Sequence, residues 1–168
     1  MRLDRAWIEA RIPHRGRMCL LDEVLDWDAE WIRCRSGTHR SADHPLRYQG
    51  RLGGACGIEY AAQAMAVHGA LLTADRAPDR AAPARIGYLA SVRGLHLAVA
   101  RLDDIAADLI CEARRIAGDL DTVVYEFSIR AEAPGDSSAH QSSADLLLSG
   151  RATIAFPDTL QTSMAPNR

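Results

Sequence analysis

The chain contains no lysine. All 20 of its cationic side chains are arginines, and 22 Asp and Glu residues balance them to a formal net charge of −2. With so little net charge, no overall field attracts nucleic acid or an anionic membrane surface, so we predict neither as a partner. Aromatic residues are also scarce, at 5% of 168 residues, although 48% of the chain is hydrophobic. This length and composition favour one compact domain with a sizeable core.

Long apolar runs and paired cysteines are missing as well. No segment reaches the roughly 18 apolar residues of a membrane span, and the N-terminal MRLDRAWIEARIPHRGR lacks the apolar core of a signal peptide. The four cysteines form no C-x-x-C pair, which argues against a zinc ribbon or a thioredoxin-type site. P-loop, G-x-G-x-x-G and G-x-S-x-G motifs are absent too. We therefore expect a cytoplasmic protein with reduced thiols, no metal and no cofactor.

The hydrophobic pattern predicts two helices of unequal length. A short one lies in LDRAWIEARI and stops before Pro13, and the alanine-rich segment from Ala55 to about Thr73 forms the main one. Along this second helix, one stripe of residues is predicted to pack on a sheet. Its members are Ile58, Ala62, Met65, Gly69 and Leu72.

The remaining apolar segments read as strands. MCLLDEVLDWD and EWIRCRSGTH predict a hairpin around a turn near Asp28–Glu30. Four further strands are predicted after the main helix, in RIGYLASVRGLHLAVA, ADLICEARRIA, TVVYEFSIRAE and LLLSGRATIAFP. One long helix followed mainly by consecutive strands indicates an α+β fold with an antiparallel sheet. We expect a single domain over residues 1–157, polar loops at 75–84 and 133–145, and a disordered tail over 158–168.

Glu59 is the one carboxylate in GRLGGACGIEYAAQAMAVHGAL, residues 50–71. An ionised carboxylate is costly to bury unless it is paired or hydrogen-bonded. Gln63 lies one helical turn further on the same face, whereas His68 points to the opposite side. Neighbouring alanines predict a partly desolvated Glu59 that favours its neutral, proton-donating form. A solvated Glu59, or one paired across a subunit interface, stays open at this stage.

The start of the main helix lacks a capping side chain. Gly53 and Gly54 stand where Ser, Thr, Asp or Asn would usually accept from the first N–H groups. Uncommitted N–H donors beside glycine can receive a ligand's carbonyl oxygen at the positive end of the helix. The alternative is a tight turn from loop to helix. Cys56 is expected to be a small core residue and not a nucleophile.

Two motifs resemble a known family. IPHRGRMCLLDEV is similar to the L-P-H-R-x-P-F-L-L-V-D-R-V opening of the β-hydroxyacyl-[acyl carrier protein] dehydratases, and GGACGIEYAAQA resembles their P-G-x-x-x-x-E-A-M-A-Q helix start. The resemblance is closest to the 3-hydroxyacyl-ACP dehydratase-like branch that includes a subunit from aryl-polyene clusters, where this point reads G-I-E-Y-M-A-Q-A. It covers most of residues 8–156. The resemblance implies a hotdog fold: an antiparallel sheet wrapped around one long central helix, dimerised, with active sites at the dimer interface.

The same resemblance assigns roles to individual residues. Glu59 corresponds to the catalytic carboxylate, Gln63 to the glutamine four residues later, and Gly54 to the glycine whose N–H holds the thioester carbonyl. The usual catalytic histidine is missing, because Arg51 in RYQGRLGG stands in its place. His14 of the Pro-His motif is therefore our candidate for a replacement base.

His44 in ADHPLRYQG lies near the same connection, so we predict that it binds the substrate together with Gly54, Gln63 and Arg51.

These assignments predict dehydration of a 3-hydroxyacyl thioester to the trans-2-enoyl thioester in fatty-acid- or polyene-type biosynthesis. The substrate would be carried by an acyl carrier protein or coenzyme A. Such a dehydration needs a base for the C2 proton, an acid for the departing hydroxyl and N–H donors for the enolate-like charge. Two alternatives are a catalytically weak subunit supporting a partner dehydratase, and a hotdog thioesterase that uses Glu59 to activate water. We expect a homodimer or a heterodimer with another hotdog protein.

Overall fold

The computed structural model describes residues 3–76, 86–119, 121–132 and 145–156. Seven strands and two α-helices lie in these ranges, with short 3₁₀ turns between some of them. In chain order the elements are β1 (Leu3–Asp4), α1 (Arg5–Glu9), β2 (Glu23–Trp27), β3 (Trp31–Ser36), α2 (Gly57–Arg76), β4 (Tyr88–Leu97), β5 (Leu109–Gly118), β6 (Thr122–Ala131) and β7 (Leu146–Ala155). The predicted helices and strands are all present. The predicted tail at 158–168, and nearly all of the predicted loops at 75–84 and 133–145, fall outside the described residues.

The strands form one antiparallel sheet in the order β1-β2-β3-β5-β6-β7-β4. The β2–β3 hairpin turns at Asp28, whose carboxylate accepts from the N–H groups of Glu30 at 2.7 Å and Trp31 at 2.9 Å. Strand β4 pairs only with β7 among the described strands, so one of its edges is open. The fold is thus α+β, an antiparallel sheet around one long helix, as predicted.

Helix α2 packs against the sheet chiefly at β3, β5 and β6. Its most buried side chains are Tyr60, Ala61, Gln63, Ala64, Met65, Val67, His68 and Leu71. The stripe predicted to pack on the sheet is not the most deeply buried face of α2. Of its five members only Met65 is buried, and the other four are half-buried. Apolar and small residues surround this helix, so the sequence pattern does not distinguish the face on the sheet from its neighbours. None of the helices in the described ranges is long and apolar enough to cross a bilayer.

Three histidines lie inside the domain as neutral hydrogen-bonding groups: His39, His44 and His68. Nε2 of His39 lies 3.0 Å from the Ile105 carbonyl oxygen, and Nε2 of His68 lies 2.9 Å from that of Asp28. Burial lowers the pKa of each of the three rings. The folded state therefore resists protonation of rings that the unfolded chain would protonate.

We expect this burial to make the protein acid-labile below the ordinary histidine pKa of 6.5. Between that pH and the lowered pKa values, the unfolded chain binds more protons, so stability falls as pH falls. Each ring lowers the free energy of unfolding by at most about 1.4 kcal/mol for each pH unit. Urea unfolding at pH 7.5, 6.5 and 5.5 measures the effect. A free energy of unfolding that stays constant over this range would contradict the prediction.

Candidate active site

The loop between α1 and β2 brings His14 to Glu59 in the first turn of α2. Nε2 of His14 lies 3.1 Å from Oε1 of Glu59, and the side chains are 29% and 32% exposed. Nδ1 of His14 is buried and has no hydrogen-bond partner among the described residues. Arg15 supports this loop, since its guanidinium donates to the carbonyl oxygens of Ile12 and His14. Both members of the pair come from one chain and reach the surface together.

Gln63 holds Glu59 from the other side. Its side-chain nitrogen donates to Oε1 of Glu59 at 2.9 Å and to the Met18 carbonyl at 2.8 Å. Its side-chain oxygen accepts from the N–H of Leu20 at 2.8 Å. Gln63 is fully buried and both amide protons are used, so no donor remains for the substrate contact predicted from the sequence. Gln63 therefore orients the Glu59 carboxylate and holds the loop between α1 and β2 against α2.

Glu59 is more acidic than the sequence predicted. Burial by itself raises the pKa of this carboxyl, but hydrogen bonds from His14 and Gln63 outweigh it, and the pKa of Glu59 is lowered. The prediction of a neutral, proton-donating Glu59 is therefore wrong for the resting protein. Both bonds go to Oε1. The site presents an ionised carboxylate held at one oxygen.

Gly54 does not offer the N–H donor that the resemblance assigned to it. Its N–H donates to the Ala100 carbonyl at 2.9 Å, and the N–H of Cys56 donates to the Gly53 carbonyl at 3.0 Å. A Cβ atom at Gly54 would collide with the carbonyl oxygen of Val99. Glycine is required there because the segment after β4 passes against the helix start. These two amides are committed to the fold and not to a ligand.

Two other predicted binding residues lie elsewhere. His44 is buried, and its Nε2 lies 2.9 Å from the hydroxyl of Tyr60, with no contact to Glu59 among the described residues. Arg51 is exposed in a tight turn with Tyr48, closed by reciprocal backbone hydrogen bonds of 2.9 and 3.0 Å. The structure therefore brings together His14, Glu59 and Gln63, but not His44 or Arg51.

Cys56 and His68 stay outside this arrangement. Burial raises the pKa of the Cys56 thiol, which disfavours the thiolate needed for a nucleophile. His68 lies 3.0 Å from the hydroxyl of Tyr125, on the side of α2 away from the site, as predicted. Sequence inspection singles out neither Tyr60 nor Thr38, whose hydroxyls lie 2.9 Å apart beside the site. For Tyr60 the sequence offers one signal, its position directly after Glu59 in the GIEY motif.

Comparison with known proteins agrees with this fold. The dehydratase heterocomplex ApeI:P from Xenorhabdus doucetiae matches with a TM-score of 0.71 and 20% identity, over 90% of this chain and 91% of that one. Zebra fish thioesterase superfamily member 2 matches with a TM-score of 0.54 and 15% identity, over 91% and 95%. These likenesses show the hotdog fold. The curated proteins include no match. The family model for ApeP dehydratase matches residues 6–165, so the chain belongs to the ApeP-like dehydratase family.

Proposed function

We propose that the protein dehydrates a 3-hydroxyacyl thioester to the trans-2-enoyl thioester, with the acyl chain on an acyl carrier protein or coenzyme A. The observation that carries this proposal is the ionised Glu59, held at Oε1 by His14 and Gln63 within a chain of the ApeP-like dehydratase family. An acid–base group fixed by two donors at the surface suits proton transfer to and from a bound thioester.

One carboxyl group is sufficient for the chemistry. The ionised Glu59 takes the C2 proton at Oε2, and electrons from the broken C–H bond form the C2–C3 double bond. The C3–O bond breaks, and the carboxyl returns its proton to the departing hydroxyl, which leaves as water. Glu59 is ionised again at the end. His14 and Gln63 keep Oε1 in place during both transfers, so His14 is assigned here as the orienting donor and not the replacement base.

The assay follows the two possible products separately. The full chain is incubated with 3-hydroxybutyryl and longer 3-hydroxyacyl thioesters on carrier protein and on coenzyme A, and mass spectrometry measures loss of water while a thiol reagent measures hydrolysis. We expect enoyl thioester without free thiol. Release of thiol and 3-hydroxy acid would instead identify a thioesterase. Turnover that begins only after a second hotdog protein is added would identify a supporting subunit.

We further propose that a second hotdog subunit covers β4. In the part of the chain that the structure describes, β4 pairs with β7 along one edge only, and large apolar side chains are exposed along the strand: Tyr88, Leu89, Leu95 and Leu97. An uncovered edge of this kind would invite aggregation if it stayed free. The structurally similar ApeI:P is a dehydratase heterocomplex, which favours a partner of the same fold.

A charge on β4 is therefore expected to separate the subunits. Leu95, 39% exposed on β4, is changed to Arg, and Ile116, 42% exposed on β5, is the matched control. Sedimentation of the protein with its partner, or alone for a homodimer, should show dissociation at micromolar concentration for Leu95→Arg only. A stable monomer in the wild type, unaffected by a candidate partner, would refute assembly through β4.

A further inference from the structure

A line of polar side chains, buried at His44, Tyr60 and Ser36 and half-buried at Thr38, leads from His44 to the backbone of Leu20. Nε2 of His44 lies 2.9 Å from the Tyr60 hydroxyl, which lies 2.9 Å from Oγ1 of Thr38. Oγ1 of Thr38 donates to the Leu20 carbonyl at 2.8 Å, and Oγ of Ser36 donates to the same oxygen at 2.5 Å. His44 is 5% exposed and Tyr60 is fully buried, so bulk water does not compete for the hydrogen bond between them.

The direction of each hydrogen bond follows from the two ends of the line. The N–H of Leu46 donates to Nδ1 of His44 at 3.1 Å, so the ring proton lies on Nε2 and is donated to Tyr60. The single hydroxyl proton of Thr38 goes to Leu20, so Tyr60 donates to Thr38. Burial lowers the pKa of His44, which keeps the ring neutral near pH 7 and preserves Nδ1 as an acceptor.

This line meets the active site at Leu20. The N–H of Leu20 donates to the side-chain oxygen of Gln63 at 2.8 Å, and the nitrogen of the same amide donates to Glu59 at 2.9 Å. Because an amide group is planar, the bond at its oxygen fixes the direction of its N–H donors. A shift of Leu20 would turn the Gln63 amide and move Glu59 away from His14.

We propose that Tyr60 and His44 are positioning residues for the reaction at Glu59. They hold the backbone of Leu20, which orients the amide of Gln63. The kinetic part of this inference rests on the proposed function, whereas the geometric part concerns only the contact of Glu59 with its histidine. Acid–base groups keep a productive geometry only when the side chains around them are themselves held in place by packing and hydrogen bonds.

Tyr60→Phe tests this role, with Tyr125→Phe as its matched control. Tyr125 is also buried, and its hydroxyl lies 3.0 Å from Nδ1 of a buried histidine, His68. Tyr60→Phe loses two hydrogen bonds and Tyr125→Phe loses one, so we expect both variants to lower the melting temperature, Tyr60→Phe by more. Only Tyr60→Phe should lower kcat, by about tenfold, because a small displacement of a catalytic group is costly. KM should stay unchanged, since the line touches no substrate.

Two substitutions of Thr38 test the same line of hydrogen bonds, one that interrupts it and one that preserves it. Thr38→Val removes the hydroxyl and should lower kcat like Tyr60→Phe, whereas Thr38→Ser keeps a hydroxyl and should recover the wild-type value. Equal decreases of kcat in Tyr60→Phe and Tyr125→Phe would mean a general loss of stability and would overturn the proposal. Wild-type kcat in both Tyr60→Phe and Thr38→Val would overturn it as well.

The ring nitrogens of His14 supply a readout that does not depend on turnover. Their ¹⁵N chemical shifts report the hydrogen bond to Glu59, and we expect Tyr60→Phe to move the Nε2 signal while Tyr125→Phe leaves it in place. If wild-type protein, alone and with a hotdog partner, converts no 3-hydroxyacyl thioester, the proposed function fails. The positioning role fails if the His14 signals are identical in wild type and Tyr60→Phe.

Discussion

Glu59→Gln is expected to lower the rate of 3-hydroxyacyl thioester dehydration by 10²–10⁴-fold, the usual contribution of one acid–base group. The amide of a glutamine at this position does not take up the C2 proton at neutral pH. It does keep an oxygen that can accept from His14 and Gln63, so the loop before β2 stays fastened to α2. The loss should therefore appear in kcat with little change in melting temperature.

Glu126→Gln is the control for this substitution. Glu126 is exposed on β6, where its carboxylate lies 2.7 Å from Arg151. Exposed pairs of this kind contribute little to stability, so this variant should behave like wild type in both assays. Dehydration at the wild-type rate in Glu59→Gln, measured by formation of enoyl thioester, would remove Glu59 from the proposed mechanism.

His14→Ala is expected to lower turnover by about 10²-fold, because Glu59 loses one of the two donors that hold Oε1. His14→Gln distinguishes an orienting donor from a base. A glutamine amide can donate a hydrogen bond close to where Nε2 of histidine does, but it cannot accept a proton from C2. With the single-carboxyl mechanism, His14→Gln should stay within about tenfold of wild type.

The replacement-base hypothesis predicts a different pattern for the same two variants. If His14 itself takes the C2 proton, alanine and glutamine abolish turnover equally. Thermal melting of both variants is measured alongside, because Nδ1 of His14 is buried and a structural role would appear as lost stability. Equal and large losses of turnover at unchanged melting temperature would overturn the assignment of His14 as an orienting donor.

Element type was predictable wherever the local pattern has one physical interpretation. The β2–β3 hairpin was predicted around Asp28–Glu30, and the structure has Asp28 accepting from two backbone N–H groups there. The long helix was predicted from Ala55, and α2 begins at Gly57 after a 3₁₀ turn. Local backbone preferences and short-range hydrogen bonds decide such features, and both are encoded within a few residues.

The face of α2 that packs deepest on the sheet was not predictable. Small and apolar side chains occur around the whole helix, so the burial of Ala61 and Ala64 and the half-burial of Ala62 are decided by where β3, β5 and β6 contact the helix. The hydrogen bond from the Gly54 N–H to the Ala100 carbonyl was not predictable either, because the acceptor lies far along the chain, beyond β4. Contacts between distant segments leave no local pattern.

By itself the sequence determined the α+β class, the order of the two helices and of strands β2 to β7, and Glu59 with Gln63 one turn later as the pair of polar side chains to examine; it did not predict β1. Only the tertiary structure decided that His14 is the histidine that reaches Glu59 and that His44 belongs to a buried line ending at Leu20. It also decided the charge of Glu59, because the lowered pKa of that carboxyl results from donors on two separate segments. A carboxylate's ionisation depends on the full set of groups around it, and that set exists only once the chain has folded.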